Sequence, residues 1–186
     1  MTTDPTGRQS LIAAIQRDDP SLGPEQLIAG YEAGSNLLRS AVAGMTRDEL
    51  LARPVTGRWS TLEVVCHICD AEQFFADRLT RTLAMNRPLL LGADPDRYPE
   101  AVRYHDRDLE EELALVALTR RQVARILKLV PDEAWQRTAV HSEGGLVTLR
   151  QLVLHATRHL THHVRFIEEK RQAIAAVSTT KPKAPE

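Results

Sequence analysis

The decisive stretch of this sequence is Leu154-His155-Ala156-Thr157-Arg158-His159-Leu160-Thr161-His162-His163, which holds four of the chain's seven histidines. Its apolar residues recur at the spacing of an amphipathic helix. In a helix, residues four apart lie on one face, with Cβ atoms about 5–6 Å from each other. His159 and His163 have that spacing, and two neutral imidazoles held in this way can supply half of a metal site.

The apolar residues of this helix indicate which of its histidines face the core. When His155 is set at 0° and each residue advances by about 100°, the apolar residues cluster around about 120°. They are Leu149, Leu152, Val153, Ala156, Leu160, Val164 and Ile167. On this scale His163 falls near about 80° and His159 near about 40°, whereas His162 at about 340° and His155 tend toward solvent. His159 and His163 are therefore the predicted metal ligands of this helix.

His67 is the candidate for a third ligand, because a catalytic zinc site usually takes three protein ligands and leaves one position open. It lies among apolar residues in another predicted helix, where a buried imidazole needs a partner. Alone, it is better explained as a hydrogen-bonded core histidine; together with His159 and His163, the metal interpretation is favoured. Glu63 and Asp70 flank His67 on the same side of that helix. Glu63 is predicted to cap the helix, which leaves Asp70 as the candidate for orienting an imidazole or transferring a proton.

The remaining histidines and the two cysteines have simpler interpretations. His105 and His141 fall in predicted loops, where a surface position is the default, although His141 is close enough to the fourth helix to border a site. Cys66 and Cys69 form a CxxC pattern, but they lie inside a predicted helix and point away from the face of His67. They are predicted to be buried free thiols rather than a redox pair, which belongs at a helix N-terminus.

Local start and stop signals predict four long helices and no convincing strand. The first helix starts at Pro24, and the second is capped by Ser60 and ends at about Met85. The third helix spans about 108–130, and the fourth starts after a capping box at Thr148 and ends near Ala175. Residues 86–106 form a long irregular crossover that contains three prolines. The predicted fold is an all-α four-helix bundle over residues 24–176, with a long crossover between helices 2 and 3. Residues 1–23 are an N-terminal extension, and residues 177–186 are a predicted disordered tail.

The composition is that of one globular domain. The 186 residues are 42% hydrophobic and 26% charged, with a formal net charge of -1. No basic excess favours binding to nucleic acid or to an anionic membrane. No signal peptide and no bilayer-spanning stretch is visible, so a cytoplasmic protein acting on a small molecule is expected.

Several motifs together match a known family. They are Trp59-Ser60-Thr61-Leu62-Glu63 leading into His67 and Asp70-Ala71-Glu72, the segment 104–109, Trp135-Gln136-Arg137, His141-Ser142-Glu143-Gly144-Gly145, and His159-x₃-His163-x₃-Ile167. From about residue 25 to residue 172, the chain resembles the DinB/YfiT-like superfamily of metal-binding four-helix bundles. One departure is Phe166, where many relatives carry Gln.

This resemblance implies a metal site and a reaction class. It implies that His67, His159 and His163 bind a divalent metal with open positions, Zn²⁺ first and Ni²⁺, Mn²⁺ or Fe²⁺ as alternatives, and that homodimers are frequent. Characterised relatives include transferases and isomerases that use low-molecular-weight thiols such as bacillithiol or mycothiol. The expectation is therefore a metal-dependent thiol transferase. The alternatives are a metal-dependent hydrolase, a non-catalytic metal-binding stress-response bundle, and a bundle whose histidines are only structural.

Overall fold

Four long helices form a bundle in the part of the chain that the structure, a computed structural model, describes: residues 12–180, with side chains through residue 176. They are α1 (Pro24–Val42), α2 (Thr61–Ala84), α3 (Leu109–Leu127) and α4 (Leu149–Thr180). The predicted all-α bundle is confirmed. Helix α4 continues to Thr180, past its predicted end, and the rest of the predicted tail lies outside the described residues. Within residues 12–180, no helix is both long and apolar enough to cross a membrane.

The predicted capping boxes fix where two of these helices begin. At the start of α2, the backbone N–H of Ser60 donates to Glu63 Oε2 (2.6 Å), and the backbone N–H of Glu63 donates to Ser60 Oγ (3.2 Å). At the start of α4, Thr148 and Gln151 exchange the equivalent bonds, at 2.9 and 3.1 Å. Because each box satisfies backbone donors that no helical carbonyl can reach, these starts are set by local sequence.

The order of the helices around the bundle differs from a simple up-and-down arrangement. Helix α1 packs against α3 and α4, and α2 packs against the same two helices. Helices α1 and α2 therefore lie across a diagonal although they follow one another in the chain. The crossover from α2 to α3 carries short helical turns at Pro95–Arg97, Tyr98–Ala101 and Tyr104–Asp106.

A small sheet corrects the prediction that the chain has no strand. Strand β1 (Leu89–Leu90) pairs in parallel with β2 (Thr138–His141), and β2 pairs antiparallel with β3 (Gly145–Thr148). Two- and four-residue strands are too short to show an alternating pattern, and the parallel pair joins segments far apart in the sequence. Gly145 turns between β2 and β3 with φ of 68°, a value that favours glycine. The sheet ties the crossover to the segment before α4.

One buried arginine connects all four helices. Arg120 of α3 is 1% exposed and donates to Glu72 Oε2 of α2 at 2.7 Å. It also donates to the backbone oxygens of Tyr31 in α1 (2.7 Å) and Ala156 in α4 (3.0 Å). The Tyr31 hydroxyl donates to the other oxygen of Glu72. Each nitrogen of the Arg120 guanidinium and each oxygen of the Glu72 carboxylate thus has a hydrogen-bonding partner, as charges in a low-dielectric interior require.

Two glycines of α1 give a matched test of this packing. A Cβ on Gly34 would lie 2.1 Å from Arg120 Nη1, whereas a Cβ on Gly30 would lie 3.6 Å from the Thr157 methyl group, an ordinary contact. We expect Gly34→Ala to lower the free energy of unfolding by about 1–3 kcal/mol, since the guanidinium is held by three partners and must shift. Gly30→Ala should instead raise it by about 0.5–1 kcal/mol, because alanine is the better helix former.

Urea denaturation of the two variants measures the difference. Equal stabilisation by both alanines would show that the guanidinium moves freely, and would contradict the rigid Arg120 arrangement.

Candidate metal centre

Three histidines from α2 and α4 point their Nε2 atoms at one place. His67 Nε2 lies 3.1 Å from His159 Nε2 and 3.2 Å from His163 Nε2. All three Nε2 atoms lie within 4.8 Å of one another. A tetrahedral ion with metal–nitrogen bonds of about 2.0–2.1 Å holds its ligands about 3.4 Å apart, close to the observed spacing. The predicted grouping of residues 67, 159 and 163 therefore exists in the folded chain, and its geometry fits a metal ion.

The protonation of these imidazoles also fits metal binding. Burial lowers the pKa of His67 to about 4 and that of His163 to about 3, and it lowers the pKa of His159 well below the usual value. All three rings are therefore neutral at pH 7, the form that binds a metal. Among the described residues, the buried His163 Nδ1 has no hydrogen-bond partner. Aromatic rings pack on the site: Trp59 lies 5.0 Å from His67, and Phe75 lies 5.3 Å from His159, between ring centroids.

Asp70 stands beside the site and is held by two partners. Its Oδ1 accepts a hydrogen bond from Arg107 Nη1 (2.8 Å), and its Oδ2 accepts one from the Tyr104 hydroxyl (2.9 Å). Arg107 also forms a two-pronged ion pair with Glu112, at 2.7 and 2.8 Å. The Asp70 carboxylate is therefore held in a fixed position near His67. Its role in proton transfer stays a prediction.

A cavity of about 240 Å³ opens beside His67 and His159. Its wall is largely aromatic and aliphatic: Ile15, Ala71, Phe74, Phe75, Ala93, Pro95 and Tyr98. Polar groups enter it at Asp70, Tyr104, Arg78, His141, Glu143 and His155. A metal ion held by the three histidines would therefore lie at the edge of a cavity able to admit a small, mainly apolar molecule.

The sequence favoured the surface for His141 and the solvent side for His155 but left open whether either borders the site; the structure places both in the cavity wall. His141 is only 3% exposed, in β2, and its Nδ1 accepts the backbone N–H groups of Glu143 and Gly144, both at 3.2 Å. Its Nε2 therefore carries the ring proton and is a donor. His155 is half-buried and packs 5.4 Å from the Phe75 ring, rather than tending toward solvent. The i, i+4 spacing of His155 and His159 is the sequence signal that could have placed it beside the site.

The other sequence assignments around the site are consistent with the structure. His162 is exposed, and His105 lies at the surface with its Nε2 3.0 Å from Glu63 Oε1. Cys66 and Cys69 are free and buried, and burial raises the pKa of the Cys66 thiol to about 12. Thiols with raised pKa values are poor nucleophiles, so a redox pair is not supported.

Lowering the pH from 7 to 5.5 is expected to destabilise the metal-free protein. Burial lowers the pKa of His141 and of His155 to about 4, so below pH 6.5 the unfolded chain binds protons there that the folded chain does not. The stability present above pH 6.5 is then lost as the pH falls, by about 1 kcal/mol for each such histidine between pH 7 and 5.5. Urea denaturation of chelator-treated protein at the two pH values measures this loss.

Paired variants identify the groups responsible. His155→Gln should reduce the pH dependence by about 1 kcal/mol, and His162→Gln, which removes an exposed histidine from the same helix, should leave it unchanged. The same pH dependence in both variants would contradict the assignment.

The fold and the site together define a helical bundle with a candidate three-histidine metal centre. The chain belongs to the DinB superfamily, whose family profile matches residues 31–167. The family resemblance found in the sequence is therefore confirmed.

Relatives match this chain at low sequence identity. A protein of Oceanobacillus iheyensis is 21% identical over 138 residues, which cover 72% of this chain and 80% of that protein. One of Bacillus licheniformis is 23% identical over 159 residues, 85% of this chain and 89% of the relative. Both are provisionally named metal-dependent hydrolases. The structure of YfiT from Bacillus subtilis matches this chain with a TM-score of 0.77 and 22% sequence identity, over 86% of this chain and 93% of YfiT. YfiT is described as having an unusual four-helix bundle topology and, provisionally, as a metal-dependent hydrolase.

Proposed function

We propose that this protein is a metal-dependent enzyme that transfers a low-molecular-weight thiol to a small electrophile. His67, His159 and His163 hold the ion, with Zn²⁺ the first candidate and Ni²⁺, Mn²⁺ or Fe²⁺ the alternatives. The observation that carries the proposal is the position of this triad: its three Nε2 atoms converge at the edge of a mainly apolar cavity of about 240 Å³. A structural zinc site usually has four protein ligands. Among the described residues, the metal-ligating group consists of these three histidines, which leaves a coordination position for a substrate.

The residues around the triad have separate roles in this proposal. Phe74, Phe75 and Tyr98 line the cavity and would bind the apolar part of the electrophile. His141, whose Nε2 is a donor, would orient a polar atom of that substrate. Asp70, fixed by its two partners, would accept a proton during the reaction through its remaining lone pairs. A bound ion would supply a Lewis acid that lowers the pKa of the thiol.

A hydrolase is the second candidate. It is favoured by the provisional names of the relatives, and the same ion could lower the pKa of water instead of that of a thiol. A non-catalytic metal-binding bundle is the third, and the cavity beside the triad argues against it.

A thiol screen of metal-loaded protein distinguishes these candidates. Purified without a histidine tag, the protein is first analysed for metal and then mixed with 1-chloro-2,4-dinitrobenzene in the presence of bacillithiol, mycothiol, cysteine or no thiol. We expect metal- and enzyme-dependent formation of the thioether with one thiol and none without it. Hydrolysis of 4-nitrophenyl acetate without any thiol would favour the hydrolase. Bound metal with neither activity across broader substrate panels would favour the non-catalytic bundle.

An Asp70 variant tests the proton-transfer role. Asp70→Asn retains an acceptor oxygen for Arg107, and the Tyr104 hydroxyl can rotate to accept from the amide N–H. The variant is expected to lower kcat while leaving metal content unchanged, since Asp70 is not among the grouped metal ligands. Full activity in this variant would contradict the role given to Asp70.

A further inference from the structure

A second pocket borders the three histidines from the side of His163. It also measures about 240 Å³ and is lined by His163, Trp59, Arg58, Phe166 and Lys170, among others. Neither His67 nor His159 lines it, whereas both line the apolar cavity, which His163 does not. The candidate ion would therefore lie between two pockets with different linings.

The second pocket contains a buried lysine. Lys170 is 2% exposed, and its Nζ donates to the backbone oxygen of Phe166 at 3.0 Å. Among residues 12–176, no carboxylate lies within 4 Å of this ammonium. An ammonium has three donors, and the carboxylates of Glu169 and Glu63 act on this one only from beyond ion-pair distance, so its buried charge has no direct ionic partner. The position of Lys170 is therefore suited to a negatively charged ligand.

Two further groups of the pocket favour the same kind of ligand. The guanidinium of Arg58 lies 5.6 Å from the Phe166 ring centroid, and Lys170 Nζ lies 5.8 Å from the same centroid. Two cationic side chains therefore lie against this one aromatic ring. His163 Nδ1 is buried and has no hydrogen-bond partner within residues 12–176, and it carries a proton whenever His163 Nε2 binds a metal. Asp96 is the acidic residue of the pocket; it is exposed and forms no ion pair with Lys170.

We propose that this pocket binds a carboxylate of the thiol cosubstrate, with Lys170 as its main partner and Arg58 at the entrance. The proposal rests on the thiol transferase function and adds the chemical class of the thiol: an acid rather than a neutral molecule. It also gives each substrate its own side of the metal centre, since the apolar cavity suits the electrophile and the cationic pocket suits the thiol. A hydrolase, whose second reactant is water, has no need of the cationic pocket.

The test compares acidic thiols with their neutral esters on the full chain loaded with Co²⁺. The probes are ω-mercapto carboxylic acids of two to six carbons and their methyl esters, and binding is followed by the near-ultraviolet thiolate-to-cobalt band. We expect at least one acid to bind wild-type protein 10-fold or more tightly than its ester. Lys170→Met should reduce that preference to less than 3-fold. Lys128→Met, which removes a charge from an exposed lysine paired with Glu32, should leave it unchanged.

The outcomes separate this proposal from the one it rests on. A preference for acids that survives in Lys170→Met would reflect chelation of the ion by the carboxylate, and would overturn the subsite. Equal binding of acid and ester by wild-type protein would do the same. If no thiol gives the band, the thiol transferase function fails. Tryptophan fluorescence in a Trp135→Phe background then reports the subsite, because Trp59 lines the pocket and is the remaining tryptophan of that variant. If propionate or succinate quenches the fluorescence, and Lys170→Met abolishes that quenching, the pocket is an anion site that acts without thiol chemistry. If neither acid quenches the fluorescence, the anion site is overturned.

A second variant keeps the test decisive if Lys170→Met does not fold. Folding is checked by circular dichroism and by Co²⁺ stoichiometry. Arg58 is exposed, so Arg58→Gln is expected to fold normally and to lower the preference for acids at least 3-fold. An unchanged preference in Arg58→Gln would overturn the two-cation arrangement.

Discussion

Replacing His67 by alanine is expected to weaken Zn²⁺ binding by about two to three orders of magnitude, because four-ligand zinc sites supply about 10–16 kcal/mol, or about 2.5–4 kcal/mol for each ligand. Alanine leaves the two histidines of α4 as a two-nitrogen site that reaches the ion from one side. His159→Ala and His163→Ala should have effects of the same order. Metal analysis after dialysis and competition with a chromophoric chelator measure the change.

His162→Ala is the matched control for this prediction. His162 stands next to His163 on the same helix, but its side chain is exposed and belongs to no metal-ligating group among the described residues. Its removal should leave Zn²⁺ affinity within about 3-fold of wild type, since it takes no ligand atom away from the triad. Full metal stoichiometry and unchanged affinity in His67→Ala would show that the triad is not the metal site.

Arg120→Met is expected to lower the free energy of unfolding by about 3–5 kcal/mol, the cost of removing one partner from a buried ion pair. The variant leaves the Glu72 carboxylate, 1% exposed, without its cation, and removes the side-chain donor that the backbone oxygens of Tyr31 and Ala156 have in addition to their helical hydrogen bonds. Burial raises the pKa of Glu72, so the unpaired carboxyl would take up a proton readily. The loss of stability should therefore be smaller at pH 5 than at pH 8.

Two further variants test the origin of this effect. Arg121→Met removes a neighbouring exposed arginine and should change stability by less than about 0.5 kcal/mol. The double variant Arg120→Met, Glu72→Met should recover much of the loss, because a buried pair can be replaced by apolar side chains of similar volume. Equal losses in the single and double variants would show that the unpaired charge is not the cause.

The sequence predicted the parts of the fold that depend on neighbouring residues. Ser60 with Glu63, and Thr148 with Gln151, set the starts of α2 and α4, because a capping box involves residues only three apart. The end of α4 was less well predicted, since no glycine or proline stops the helix near Ala175.

The sequence did not predict the features of the structure that depend on contacts between residues far apart in the chain. The strands were missed because β1 gains its partner in β2 only after the chain has passed through α3. The burial of His141 depends on that sheet, so a histidine predicted to lie at the surface became part of the cavity wall. Likewise, nothing next to Arg120 or Lys170 in the sequence separates these buried cations from the exposed ones.

By itself, the sequence determined that His159 and His163 share one helix face and that His67 stands on another helix, since helical periodicity is a local property of the chain. Only the tertiary structure decided that the three rings meet, that an apolar cavity and a cationic pocket lie on different sides of them, and that Arg120 ties the four helices together. Those features require side chains from segments far apart in the sequence to come within a few ångströms of each other, and it is the packing of the whole bundle that brings them there.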